Sequence, residues 1–146
     1  MEKEILFRII LQEPPPGVDF GLQKGKGSNY ETIQKQRSKA GHLHFEFAAR
    51  INTEKVSLVD FLGPFVQGPR GERFVYLDIG SYAGQTNTVW SRRLKIPLAG
   101  INGKMINDCL NDPQLIMETK VPGTGRDGGP NCATVKPFDG WKAVKR

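Results

Sequence analysis

The segment His42–Ile51 constrains the fold more than any other stretch of this chain. Leu43, Phe45, Phe47, Ala49 and Ile51 alternate with His42, His44, Glu46, Ala48 and Arg50. A strict period of two predicts a strand with one apolar and one wet face, and such a strand belongs to a sheet packed on a second layer. Residues 4–12 repeat the pattern with Ile5, Phe7, Ile9 and Leu11 on one side. Punctuation extends the argument: with 17 Gly and 10 Pro spread through 146 residues, turns recur often enough to favour many short strands over a few long helices.

Between these markers the chain reads as a succession of extended pieces. Pro14, Pro15, Pro16 and Gly17 force a linker and a turn, because proline cannot donate to a ladder. Val18, Phe20 and Leu22 alternate in a second short strand. Residues 23–41, QKGKGSNYETIQKQRSKAG, are polar and basic; a strand is expected around Tyr30–Gln34 and an exposed loop in the remainder. Asn52–Lys55 is a turn, and Val56–Phe61 and Pro64–Gln67 are extended pieces split by Gly63. Arg73–Ile79 is rich in strand formers, Gly80–Thr88 is a loop, and Val89–Leu98 returns as a strand.

One helix is predicted, over Asn102–Asn111. Asn102 caps it, Met105, Ile106 and Cys109 or Leu110 form its stripe, and Asp112–Pro113 ends it. Gln114–Val121 is a further strand, followed by the Gly-rich loop PGTGRDGGP and a tail, 137–146, that is basic around Trp141. The expected architecture is a single domain, residues 1–146, of seven or eight strands: a mainly antiparallel β-sandwich or partly open β-barrel with one short α-helix at about 102–111.

Composition narrows the function classes. Hydrophobic residues at 38% and charged residues at 25% describe a globular chain able to bury a core. The net charge of +6 suits an anionic partner without the Lys/Arg density of a nucleic-acid tail. Two cysteines, Cys109 and Cys132, with no CxxC, argue against a zinc finger or a disulfide scaffold. The N-terminus begins with acids and Arg8 interrupts its apolar run, unlike a signal peptide. No window is apolar enough to span a membrane, so a cytoplasmic location without a membrane partner is expected.

Three constellations carry chemistry. His42, His44 and Glu46 share one strand face, which would suit a metal-dependent enzyme. They are the only histidines present, and their face is the wet one, so the plainer reading is exposed strand residues and no metal or cofactor. Asp78 and Arg92 lie on strands joined by one loop, as an ion pair pinning a hairpin or as a charged pocket floor. Lys24, Lys26, Lys35 and Arg37, with Arg93 and Lys95, form a basic surface beside Tyr30. Basic charge beside an aromatic suits phosphate contact and base stacking, but no RNP, KH or helix-turn-helix pattern supports nucleic acid.

Other motifs fail on context. Gly123-Thr-Gly125-Arg-Asp-Gly128 matches GxGxxG but is followed by Gly129-Pro130 rather than a helix. There is no GK[ST], no GxSxG elbow, and neither cysteine neighbours a histidine.

The strings PPPGVDFGLQKGKGSNYETIQKQRS, GPFVQGPRGERFVYLDIGSYAGQ and WSRRLKIPL resemble a small bacterial family of domains of unknown function. The resemblance covers most of the chain. It implies a bacterial-type protein and brings no activity, cofactor or catalytic residue.

The function expected from the residues is a binding module for an anionic small molecule or biopolymer. Its contacts are Lys24, Lys26, Tyr30, Gln34, Arg37, Gln67, Arg70, Gln85, Arg92 and Arg93, because donors cluster there in Gly-rich loops. A metal enzyme at His42, His44 and Glu46 is one alternative. A structural or homodimerising subunit, docking through the Trp141 tail or an open sheet edge, is another.

Overall fold

The alternating segments become strands whose apolar sides meet. The computed structural model describes residues 2–14, 17–26, 29–61, 66–67, 70, 73–82, 92–122, 132–134 and 140–146. The strands are β1 (Glu2–Gln12), β2 (Val18–Lys26), β3 (Asn29–Arg37), β4 (Leu43–Asn52), β5 (Ser57–Phe61), β6 (Val66–Gln67), β7 (Arg73–Tyr82) and β8 (Arg92–Pro97). After helix α1 (Gly103–Asn111) come β9 (Leu115–Pro122), β10 (Cys132–Thr134) and β11 (Lys142–Lys145).

They form a five-stranded sheet, in the order β11, β9, β1, β4, β5, and a six-stranded sheet, in the order β10, β8, β7, β6, β2, β3. Most pairings are antiparallel; β1 with β9, β2 with β6 and β8 with β10 are parallel. This is the mainly β, sandwich-like arrangement expected, with two sheets and no closed barrel among the described residues.

The core lies between the sheets. Ile5, Phe7, Ile9 and Leu11 of β1 and Phe45, Phe47, Ala49 and Ile51 of β4 face Phe20, Leu22, Val75, Leu77 and Ile96 of the other sheet, all buried in one cluster. Each fully buried large side chain contributes about 1.5–3 kcal/mol relative to exposure. Phe7 stacks on Phe47 at 5.4 Å, as expected for residues directly opposite across the β1–β4 ladder. Helix α1 covers one end of this core with Ile106 and Cys109. Asn102 caps it as predicted, its side-chain oxygen accepting from the Met105 N–H at 2.9 Å. No helix among the described residues is long and apolar enough to cross a membrane.

Eleven strands are described where seven or eight were expected, β7 runs on to Tyr82 into the expected loop Gly80–Thr88, and two further segments differ from expectation. The strand expected around Tyr30–Gln34 is present and longer, β3 covering Asn29–Arg37, and it pairs with β2, which runs on to Lys26 where an exposed loop was expected. Gln34 and Gln36 lie opposite Leu22 and Phe20, on the core side of the ladder. Their amides donate to the carbonyls of Glu46 and His44, both at 2.9 Å. Strand β5 pairs with β4 only over Ala49–Asn52, so these glutamines satisfy carbonyls that β5 leaves open. Hydrogen bonding therefore helps to seat β3 beside the packing of Ile33 against the core, and a hydrophobic-periodicity argument cannot see that share.

The second difference is the tail. It adds β11 to the five-stranded sheet and buries Trp141 to 5% exposure, so Trp141 is not a surface contact for a partner as expected. The indole packs edge-on against Phe7 at 5.2 Å and donates its N–H to the Pro97 carbonyl at 2.9 Å, tying β8 of one sheet to β1 of the other.

Candidate functional site

The expected contact residues separate along the six-stranded sheet. Lys26 lies in register with Asn29 of β3 on one side and Gln67 of β6 on the other. Gly25, one row along, lies opposite Tyr30 and Val66. Lys24, exposed, belongs to the next row, and Arg70, also exposed, follows β6. The topology therefore gathers Lys24, Lys26, Tyr30, Gln67 and Arg70 around one end of the sheet. The side chains of Lys26, Tyr30 and Gln67 are outside the described residues' side chains, and Gln85 lies outside the described residues altogether.

The remaining basic residues occupy the other part of the sheet. Arg93, Asp78, Gly21 and Lys35 make one cross-strand row, and Arg92, Ile79, Phe20 and Gln36 the next. From Lys26 to Gly21 along β2 is about 17 Å at the rise of an extended chain. The hairpin of β7 and β8 is as expected, but Asp78 lies in register with Arg93, and Arg92 with Ile79. The side chains of Asp78, Arg92 and Arg93 are not among those described.

Arg37 and Gln34 hold structural partners. The Arg37 guanidinium takes both oxygens of Asp19, at 2.9 and 3.2 Å, with Lys35 Nζ at 3.8 Å. Those hydrogen bonds from Arg37 hold the Asp19 carboxyl below its ordinary value of 3.8. A depressed carboxyl pKa stabilises the fold above the unfolded value and loses that contribution as pH falls through the folded one. The stability gap between wild type and Asp19→Asn, measured by urea unfolding, is expected to be constant above pH 3.8 and to close below it. A gap that grew on acidification would contradict this pairing. Gln34 is engaged with the Glu46 carbonyl, as described above.

The histidine constellation does not assemble. His42 accepts a hydrogen bond from the Glu13 N–H through Nδ1 at 3.1 Å. Glu46 is paired with Arg8 at 3.0 Å and approached by Arg146 at 3.5 Å. Among the described residues no group of three or more His, Cys, Asp or Glu is placed to hold a metal ion. Cys109 is buried, and desolvation first, then Asp108 and Asp112, pushes its thiol pKa up, the opposite of a reactive thiolate.

A charged row that sequence reading missed crosses the outer face of the five-stranded sheet. Lys142, Glu118, Arg8 and Glu46 are successive register partners on β11, β9, β1 and β4. Arg8, 17% exposed, bridges Glu46 at 3.0 Å and Glu118 at 3.1 Å. In the sequence Arg8 only interrupts an apolar run. Its place on the wet parity of β1 was the one available signal.

Comparison with curated proteins and with solved structures returned no match. The model of a family of unknown function, DUF5990, matches residues 5–144, so nearly the whole β-sandwich described here falls within its bounds, and the chain belongs to that family.

Proposed function

We propose that this protein is a binding module for an anionic small molecule or biopolymer, taken up at the Lys24/Lys26 end of the six-stranded sheet. The observation that supports this reading is the double register of Lys26 with Asn29 and Gln67, which draws contact residues from β2, β3 and β6 into adjacent rows. Lys26 and Gln67 share one cross-strand row, so a charge and an amide on the same face would serve a ligand with oxygen acceptors, while Tyr30, in register with Gly25, belongs to the other face of that end. Arg37 leaves the proposed site because Asp19 neutralises it. Arg92 and Arg93 leave it because they lie some five residues further along the sheet. A bacterial cytoplasmic setting is part of the same proposal; it rests on the family resemblance and on the free thiol of Cys109.

Fluorescence anisotropy with a labelled heparin oligosaccharide tests the reading. Lys24→Ala/Lys26→Ala is expected to bind about tenfold more weakly than wild type, a loss of about 1.4 kcal/mol. Lys39→Ala/Lys55→Ala removes the same charge from exposed positions elsewhere and is expected to lose much less. Equal losses in the two variants would leave only net charge and sink the site.

A further inference from the structure

A second feature, on the other sheet, is independent of that proposal. Where β11 begins, residues of β9 and β11 line a cleft of about 150 Å³: Glu118, Thr119, Lys120, Gly140, Lys142 and Val144. That is well above the roughly 10–15 Å³ that one water requires and below the roughly 300–1,000 Å³ of pockets for drug-sized ligands. It admits a small ion or acid, not a nucleotide.

The charge around the cleft is unevenly compensated. Glu118 is tied to Arg8 at 3.1 Å and is 13% exposed, so its carboxylate already has a cationic partner. Lys120 and Lys142 are exposed, and neither has an ion-pair partner among the described residues. Lys142 lies opposite Glu118 in register, but Glu118 bonds to Arg8 on the strand at its other side. Two ammonium groups at one cleft repel each other, and an anion between them converts that repulsion into two attractions. Thr119 also lines the cleft, but in register with Ile9 its side chain has the core-facing parity of Met117 and Val121, so what it offers an anion there is backbone. Gly140, at φ +80, brings backbone to the rim in a conformation that side-chain-bearing residues rarely adopt.

From this arrangement we infer that the cleft between β9 and β11 is a binding site for a small oxyanion, a phosphate or a carboxylate, held between Lys120 and Lys142. The two ammonium groups supply both the charge and the hydrogen-bond donors.

The test is a titration of isotopically labelled full-length protein followed by amide NMR, with inorganic phosphate and acetate as probes and sodium chloride at matched ionic strength as reference. Either oxyanion is expected to give saturable shifts at millimolar concentration, centred on Thr119, Lys120 and the Gly140–Lys142 segment. Lys120→Ala/Lys142→Ala is expected to abolish them while keeping the wild-type spectrum elsewhere, because both side chains are exposed. Lys24→Ala/Lys26→Ala is expected to leave them unchanged, which separates this site from the one on the six-stranded sheet. Whichever probe saturates at lower concentration names the ligand class. Shifts that chloride reproduces, or that persist in the Lys120/Lys142 variant, would overturn the inference.

Discussion

Trp141→Ala is expected to lower the unfolding free energy by about 3–5 kcal/mol, the usual result of deleting a large aromatic from a packed core. Against a typical domain stability of about 5–15 kcal/mol, that is a large fraction of the total. Three losses combine. A side chain only 5% exposed leaves a void, the edge-on contact to Phe7 at 5.2 Å disappears, and the part-buried Pro97 carbonyl loses its 2.9 Å hydrogen bond. Trp141→Phe separates the terms, since it keeps most of the apolar body and removes only the donor. Its expected cost is about 1–2 kcal/mol, from the unmet carbonyl and a small void. Urea unfolding at constant slope measures both. A Trp141→Ala loss below about 1 kcal/mol would mean that the tail does not fasten the two sheets together.

Arg8→Met is expected to cost about 2–3 kcal/mol, between the value for an exposed pair and that for breaking a buried one. The methionine retains much of the aliphatic stem but leaves Glu118 and Glu46 facing the same uncharged position. Glu118, at 13% exposure, bears most of the penalty, because little water reaches the stranded carboxylate; Glu46, at 40%, is readily hydrated. Arg8→Met/Glu118→Gln should therefore recover part of the loss, with a coupling energy of about 1 kcal/mol or more in a double-mutant cycle. The same cycle on the exposed Arg50–Glu2 pair, at 3.5 Å, is expected to return a few tenths of a kcal/mol and to vanish in high salt. Additive Arg8 and Glu118 effects would reduce the outer-face row to decoration.

How much of this was legible in the chain depends on the range of the interaction concerned. The strand at 43–52, the first strand, the helix and its Asn102 cap follow from local rules: a period of two, a period of 3.6, and an oxygen placed to accept from the first turn. The β-rich class followed from the same signals. The candidate site was less legible. Basic residues at 24–37 and 92–93 read as one surface because sequence shows charge but not register. The ladders put Lys26 beside Gln67, Asp78 beside Arg93, and Arg37 against Asp19. Gln34 and Gln36 look like loop residues until the open edge of β4 comes within reach of their amides.

By itself, then, the sequence determined that the first strand, the strand at 43–52 and the strand from Arg73 are extended, which side of the first two is apolar, and where helix α1 starts and stops. These are properties of neighbouring residues and need no partner. Tertiary structure decided which segments lie side by side, and with that the fate of the polar groups. Arg8 meets Glu118 across 110 positions and Trp141 meets Pro97 across 44. A charge or a donor becomes structural only when a distant strand presents its complement at hydrogen-bond distance, because desolvation penalises it otherwise. That requirement moved Gln34 and Trp141 from the surface roles their composition suggested into the scaffold.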